Sequence, residues 1–510
     1  MDTFAATADE LATAPLLGCL LREAAEPLGG GVHRTRAGGR LLRVASAHRP
    51  RRAQLLTDGQ WRPLTHADLV KLVSDELSLL TGVSNDTLPA EMIDSRDALA
   101  AILTARAGAH PPADPWLRSE QSLLMGHPHH PAPKARGGGP AGTWLRYAPE
   151  AYARFPLTLL AVRADALAEE GDTSALDALA PDSAPDSTPV PPGYHLLPAH
   201  PWQLALLDQH PGIRAAFTDG RLLRLAARSE PAAPTSSVRT VHLAGADLFL
   251  KFSLDVRITN DIRRLWWHDL RRLRRTDTAV SAALAADPGA DPAADTGAAW
   301  LSDRGYRAVA GLGEELAVVV REGFGTRLRP GATPLLAAAL AEGFEGSPLA
   351  AAPDPAGWWT AYLRCLVPPV LRAFARHGVV LECHLQNCLL AVDAAGLPVQ
   401  ALFRDAEGVR TLAESGRAAG WERLVYCLLV NHLTEIAATL ADRHPAHARS
   451  LWPTARRELR SWAEELDLPE LHGLLKAPTV PGKANLLLRW TAADGAAARY
   501  VPVPNPLAAC

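Results

Sequence analysis

Lysine is nearly missing from this chain of 510 residues. Lys71, Lys134, Lys251, Lys476 and Lys483 are its only lysines, so 47 of the 52 basic residues are arginine. The bias fits a high-GC genome in which lysine codons drift toward arginine, and it makes each retained lysine a position to inspect. A surplus of one charge is missing as well. Fifty-two basic and 55 acidic residues leave a net charge of −3, which supplies no global field for nucleic acid or anionic lipid. Cysteine is sparse. Cys19, Cys365, Cys383, Cys388, Cys427 and Cys510 form no CxxC and no paired spacing, which argues against a disulfide framework and for a reducing compartment. No uninterrupted apolar run approaches the roughly 18 residues of a membrane span. Met1-Asp2-Thr3-Phe4 lacks the basic start and apolar stretch of a secretory signal, so a cytoplasmic protein is expected, with no membrane partner.

What is present is the composition of a globular protein, 48% apolar and 21% charged, long enough for about three domains. Three stretches rich in Asp, Ser, Pro or Gly read as loops: 171–193, 277–296 and 343–357. Short helical patterns mixed with turns precede Glu120, and the clearest strands lie between Ser122 and Gly343. Helical periodicity dominates Trp358–His377 and Trp421–Ala441, with a hairpin-like segment from Val379 to Phe403 between them. The fold class expected is α+β with a mainly helical C-terminal domain.

Leu248 to Asn260 alternates cleanly. Leu248, Leu250, Phe252, Leu254, Val256 and Ile258 face one way, while Phe249, Lys251, Ser253, Asp255, Arg257 and Thr259 face the other, predicted wet, side. Ile262, Leu265, Trp266, Leu270 and Leu273 then recur at helical spacing, so a strand is predicted to run into a helix capped by Thr259 with Arg263 in its first turn. A helix start beside Lys251 would suit phosphates. Upstream, Ser237-Val238-Arg239-Thr240-Val241 and the turn Ala244–Asp247 suggest an antiparallel hairpin with this strand. Ser237 and Arg239 join Lys251 on one face only if paired residue numbers sum to an even value, as for Arg239 opposite Ser253.

A third segment, Leu381-Glu382-Cys383-His384-Leu385-Gln386-Asn387-Cys388, precedes a turn and the run Phe403-Arg404-Asp405-Ala406-Glu407-Gly408. Its flanks are apolar, so Glu382, His384, Gln386, Asn387 and Asp405 are expected at the mouth of a hairpin, where hard oxygen donors suit Mg²⁺ and His384 could donate to a phosphoryl or carboxylate oxygen. A zinc site at Cys383, His384 and Cys388 is disfavoured, because strand neighbours point to opposite faces and no fourth ligand is evident. Two Pro-rich segments, Gly126-His127-Pro128-His129-His130-Pro131-Ala132-Pro133-Lys134-Ala135-Arg136-Gly137 and Leu197-Pro198-Ala199-His200-Pro201-Trp202-Gln203, would hold their side chains on stiff loops.

Taken in order, GHPHHPAPKARGG, PAHPWQ, SSVRT, LFLKFSLDVRITNDIRRL, ECHLQN and FRDAEGV resemble the NRPS-independent siderophore synthetases, the aerobactin-synthetase (IucA/IucC-like) family, from Gly126 to Val409. The resemblance implies a cupped hand of thumb (1–120), fingers (121–350) and palm (351–510), usually a homodimer. It implies an enzyme that adenylates a carboxylic acid, commonly citrate or a citrate or succinyl derivative, with ATP and Mg²⁺, then passes the acyl group to an amine, hydroxylamine-bearing polyamine or alcohol. By the same resemblance, Ser237, Arg239, Lys251, Arg263 and His384 serve catalysis. Those five, with Thr259, Asn387, Asp405 and Glu407, hold the nucleotide; Glu382, Asn387, Asp405 and Glu407 hold the metal; and His127, His130, Lys134, Arg136, Thr259 and Gln386 meet the substrates. Cys383, Val238 and the Gly137-Gly138-Gly139 stretch depart from the family pattern. Two other readings compete. His384-x-x-Asn387 with Asp405 resembles the metal site of kinase-like phosphotransferases, although Gln386 stands where their catalytic aspartate is expected. An iron-siderophore binding or reductase module is disfavoured by the lack of an adjacent cysteine pair.

Overall fold

The computed structural model describes residues 4–45, 49–137, 139–179, 190–285, 297–350, 352–493 and 499–508, so Met1–Thr3, Gly138, Cys510 and much of two predicted loops lie outside the described residues. Helix α1 (Ala5–Glu23) leads into a five-stranded antiparallel sheet over residues 25–63, whose short, half-exposed strands carry too little alternation to be legible in the sequence. Helix α2 (His66–Thr81) begins in a reciprocal cap: the Thr65 hydroxyl accepts from the Asp68 N–H and the Asp68 carboxylate from the Thr65 N–H. Helix α3 (Thr87–Ala107) completes this unit. Leu16, Leu20, Leu69, Val73 and Leu77 of α1 and α2 share a core with Leu486 and Trp490 from the far end of the chain.

The middle of the chain is an eight-stranded sheet. Its strands are β1 (Phe155–Arg163), β2 (Leu167–Gly171), β3 (Tyr194–Ala199), β4 (Leu222–Pro234), β5 (Thr240–Leu243) and β6 (Leu248–Phe252), joined after an excursion by β10 (Asp303–Val309) and β11 (Ala317–Glu322). Their spatial order is β2-β10-β11-β6-β5-β4-β1-β3. The excursion contains a small hairpin, β7 (Leu254–Ile258) with β8 (Asp261–Arg263), then helix α4 (Trp267–Leu284) and strand β9 (Ala299–Leu301). Strand β9 belongs to a second, four-stranded sheet with β12 (Thr333–Leu336), β13 (Cys388–Val392) and β14 (Pro398–Arg404), in the order β9-β14-β13-β12.

At Ser302 the chain therefore crosses from one sheet to the other. The crossing is pinned by Asp277 of α4, whose carboxylate accepts from Trp300 Nε1 at 2.6 Å, the Ser302 hydroxyl at 2.8 Å and the Asp303 N–H at 3.0 Å. Asp277 is thus a buried helical residue and not the start of a loop; residues 286–296 of that predicted loop lie outside the described residues.

The strand predicted to run straight into a helix at Thr259 does not do so. Strand β6 stops at Phe252, the chain folds back as the β7–β8 hairpin, and α4 starts eight residues after Thr259, at Trp267. Side-chain contacts override the periodicity. The Ser253 hydroxyl accepts from the Leu265 N–H at 2.9 Å, Gln203 Oε1 accepts from the Asp255 N–H at 2.8 Å, and the Arg264 guanidinium grips Asp255 at 2.6 and 2.8 Å.

The C-terminal helices match the sequence reading closely. They are α5 (Pro355–His377), α6 (Arg417–Val425), a π-helical segment (Tyr426–Leu433), α7 (Thr434–Arg443) and α8 (Ala448–Glu465), followed much later by α9 (Asn485–Trp490). The continuous run Arg417–Arg443 reaches a mean hydropathy of 1.5 over 18 residues, and 83% of that window is buried within the protein, which makes it a core helix. The predicted hairpin appears as β13 and β14, and both chemistry-bearing segments flank its open end.

Candidate active site

Lys251 sits where the two sheets meet. Its strand face is not wet: Lys251 is 3% exposed, because the turn after β14 covers it. Its ammonium donates to Asp405 Oδ1 and to Glu407 Oε2, both at 2.6 Å. Arg321 of β11, which the sequence reading missed, lies behind. It forms a two-pronged pair with the buried Asp303, at 2.7 and 3.2 Å, and approaches Asp405 at 3.5 Å. Asp303 also accepts from the Ala406 N–H at 2.9 Å, so the seam and the carboxylate turn are one hydrogen-bonded unit.

Arg239 reaches the same carboxylates by a route that strand geometry does not provide. Strands β5 and β6 pair Thr240 with Lys251 and Val241 with Leu250, an odd register in which a regular strand would turn Arg239 away. Val238, however, has φ +68°, so the chain is not yet a strand at Arg239. The guanidinium donates to Glu407 Oε2 at 2.7 Å and to the carbonyls of Arg263 and Arg264 at 3.2 and 2.9 Å. Ser237 lies in the same turn, its hydroxyl accepting from the Thr240 N–H at 3.2 Å. Thr259 (φ +60°) forms the β7–β8 tip, and Asp405 (φ +80°) returns the chain after β14. Such conformations cost about 1–3 kcal/mol each and gather at functional sites. Arg263 leaves β8, not a helix, and donates to Ile258 O and Thr259 Oγ1, both at 2.7 Å. It makes no ion pair among the described residues.

Residues 382–387 form a turn, not a strand. His384 Nδ1 accepts from the Gln386 N–H at 3.2 Å, which puts the proton of the neutral ring on Nε2, 3.7 Å from Glu382 Oε2. Burial lowers the pKa of His384, so it is a neutral donor. The Pro-rich loop uses the same device. His127 Nδ1 accepts from His129 N–H at 3.0 Å and His130 Nδ1 from Ala132 N–H at 3.1 Å, each across a proline that has no N–H of its own. Burial lowers His127 and holds His130 at about 3; His384 and Lys483 add to the lowering of His127, and Arg263 and Lys483 to that of His130, so the loop closes on the site. Gln386 contributes backbone here, its carbonyl accepting from Arg404 at 2.9 Å.

Lys134 and Arg136 do not join the cluster. Both are buried against Glu150, Lys134 also donating to Leu123 O at 2.7 Å, and together they pull the Glu150 carboxyl down to about 2 against its desolvation. The four-residue metal set is not preassembled either. Glu382 pairs with Arg423 and accepts from Asn387 Nδ2 at 3.3 Å, while Asp405 and Glu407 serve Lys251. Among the described residues no three His, Cys, Asp or Glu side chains form a ligand group. Despite desolvation, Lys251, Arg321 and Arg239 hold Asp405 well below the usual carboxylate range, and Arg239 and Lys251 hold Glu407 at about 2. Lys483 completes the cation set. It lies on a two-stranded ribbon (Thr479–Lys483 with Tyr500–Pro504) near Glu382, Arg423 and Arg263, burial lowers its pKa, and its ammonium has no hydrogen-bond or ion-pair partner among the described residues. Its rarity as a lysine was the one sequence signal available.

Comparison with known proteins bears on the family and the fold. The IucA / IucC family model matches residues 115–342, and the model of the ferric iron reductase FhuF-like transporter matches residues 356–498. An L-2,3-diaminopropanoate–citrate ligase of Staphylococcus aureus is 30% identical over 443 residues, 77% of this chain and 75% of that one. The rhizobactin siderophore biosynthesis protein RhbC of Rhizobium meliloti is 28% identical over 463 residues, again 77% and 75%. The ATP-bound aerobactin synthetase IucA of Klebsiella pneumoniae superposes with a TM-score of 0.80 at 22% identity, covering 98% of this chain and 99% of that one, which shows a common fold. With the motifs in the family's order, the fold shared end to end and a relative at this identity over most of both chains, the chain belongs to the IucA/IucC family of NRPS-independent siderophore synthetases.

Proposed function

We propose that the chain is an ATP-dependent ligase that activates citrate, or a citrate or succinyl derivative, as an acyl adenylate and condenses it with an amine or a related nucleophile. One observation carries the reading: Lys251, Arg239 and Arg263 converge on a seam where Asp405 and Glu407 are already tied to Lys251 and Arg239, while Arg263 and the Lys483 ammonium make no ion pair among the described residues and can meet an anionic substrate. A carboxylate oxygen attacks the α-phosphorus of ATP, the bond to the bridging oxygen breaks and pyrophosphate leaves. An amine nitrogen then attacks the acyl carbon, the bond from that carbon to the phosphate oxygen breaks, AMP leaves, and the nitrogen gives up a proton to solvent as the amide forms. Both steps gather anionic charge, which fixed cations in a water-poor site stabilise. His384 would donate from Nε2 to the reacting carboxylate or α-phosphoryl oxygen; its Nδ1 is occupied, so it does not act as a base from that edge.

Asp405 and Glu407 are the carboxylates fit to hold a phosphate-borne Mg²⁺, which takes one or two carboxylates and would neutralise the leaving pyrophosphate. The citrate ligases among the relatives support citrate as the acid. Buried thiols free of disulfides support a cytoplasmic enzyme, and the family resemblance supports a homodimer. The FhuF-like match favours one second reading, an iron-siderophore module. Against it, burial pushes the thiols of Cys365, Cys383, Cys388 and Cys427 up, away from the thiolate an iron–sulfur cluster takes. The test is hydroxylamine-trapped adenylation across a panel of carboxylic acids. Pyrophosphate and AMP with citrate support the reading; ADP would favour a phosphotransferase, and no release with any acid would overturn the ligase.

A further inference from the structure

The turn that carries His384 is held through its carbonyls. Those of His384, Leu385 and Asn387 accept from the backbone N–H groups of Asn387, Ala338 and Arg404, and that of Gln386 accepts from the Arg404 side chain. The carbonyl of Cys383, in the peptide plane immediately before His384, is taken by a side chain from elsewhere: His432 Nδ1, at 2.7 Å. His432 is fully buried on the π-helical segment, a geometry that recurs at functional sites. Its other nitrogen, Nε2, meets the Tyr362 hydroxyl.

Burial keeps the His432 ring neutral, and for the neutral ring these partners allow one proton arrangement. A carbonyl can only accept, so His432 Nδ1 carries the hydrogen, Nε2 is left as an acceptor, and Tyr362 donates. Tyr362 is itself fixed: it is fully buried in α5 and its ring stacks on Trp358 and Trp359 at 5.1 and 5.9 Å between centroids. The preceding π-helical residue, Asn431, approaches His127 Nε2 at 3.4 Å, so consecutive residues of one segment address both histidine-bearing loops.

We infer that His432 is a positioning residue, which with Tyr362 fixes the Cys383–His384 peptide plane and thereby aims the His384 Nε2–H at the reacting oxygen. The inference rests on the ligase reading above. Rotating that plane would swing the His384 Cα–Cβ bond without unfolding the turn, and small misplacements of a catalytic group are costly.

Two substitutions separate aim from mere stability. An asparagine amide lies at the level of Nδ1 and can still donate to Cys383 O, whereas a glutamine amide lies at the level of Nε2 and can reach only Tyr362. In citrate-dependent adenylation, His432→Gln should lower kcat by about tenfold or more while KM for ATP and citrate stays within about twofold, and His432→Asn should restore kcat to within about threefold of the unmodified enzyme. Equal losses in the two variants, or no loss in a folded His432→Gln, would overturn the inference. Should neither fold, Tyr362→Phe decides it: this variant keeps the bond to Cys383 O and loses only the Tyr362 hydroxyl, so a kcat-selective loss of about twofold to threefold supports the aim, and unchanged kcat, or a loss shared with KM, refutes it. His384→Ala in the same assay separates the levels. Retained activity there sinks the site reading itself, while an inactive His384→Ala beside an unaffected His432→Gln sinks only the positioning role.

Discussion

Lys251→Met tests the centre of the site. The substitution keeps the stem of the side chain and removes two charge-assisted hydrogen bonds of 2.6 Å. Taking one partner from a buried ion pair costs about 3–5 kcal/mol. Here Glu407 keeps Arg239 and Asp405 keeps Arg321, and the two carboxylates are 28% and 25% exposed, so the lower end, about 3 kcal/mol, is the expected loss of stability. The loss in catalysis is separate, because the same ammonium would meet the phosphates: about 2.7–4 kcal/mol, or 10²–10³ in kcat. Chaotrope unfolding of the ligand-free protein reads the first, and pyrophosphate release well below the unfolding temperature reads the second.

Lys251→Arg sharpens the test. The ammonium is 4% exposed between two oxygens, and a planar fork cannot present one point charge to both, so arginine should recover part of the stability and little of the turnover. The acid limb adds a signature. Glu407 is held at about 2 against an ordinary 4.5, so the unfolded chain binds more protons between those values and stability rises with pH there. That contribution is complete above about pH 4.5 and is lost as pH falls toward 2; in Lys251→Met the folded pKa rises and the slope becomes shallower. A folded Lys251→Met with the unmodified kcat, or a Lys251→Arg indistinguishable from the unmodified enzyme, would refute the reasoning.

Other outcomes follow from the same geometry. Lys134→Met should cost about 3 kcal/mol, the low end of the range because Arg136 stays paired with Glu150, yet leave KM for both substrates unchanged at a permissive temperature; a selective rise in KM would restore Lys134 to the substrate site. Thr259→Gly relieves a positive-φ threonine, so unfolding resistance should hold or rise while kcat/KM for the acid falls with the loss of the hydroxyl that orients Arg263. Nitrogen-15 NMR at pH 7 should find His130 and His384 neutral with the proton on Nε2; an Nδ1–H signal at His384 would contradict its role as donor. Lys483→Met should raise KM for the acid with little change in stability, since it breaks no ion pair, and an unchanged KM would remove Lys483 from the site.

How much of this was legible depended on the distance over which each feature is determined. The apolar alternation from Leu248 to Val256 is real, with Leu248, Leu250, Phe252, Leu254 and Val256 in one core, and the hairpin mouth was found from its flanks. The alternation could not say that the opposite face was covered, because the cover is the Asp405–Gly408 turn, about 150 residues away. Arg321 and Arg423 were invisible for the same reason. Arg321 is a single cation in an apolar strand and Arg423 is one of two arginines on α6, and the partner of each is elsewhere in the chain.

The register argument failed in a more instructive way. It assumed that Ser237-Val238-Arg239 obeys strand alternation, and the observed register would then have pointed Arg239 out of the site. A β-branched residue at positive φ suspends that rule, and sequence propensity counts against placing one there. Val238, Thr259 and Asp405 all sit at positive φ, the first two of them β-branched, and each lies beside or touches a residue that the site uses: Arg239, Arg263 through the threonine hydroxyl, and Glu407 in the same turn. Local preference and function conflict at these points, and the surrounding ion pairs and seam hydrogen bonds hold the backbone where it would not rest by itself. A sequence method that rewards local consistency is therefore least reliable at the residues that matter most, and a shared motif order compensates because it records the outcome of the conflict instead of its local terms.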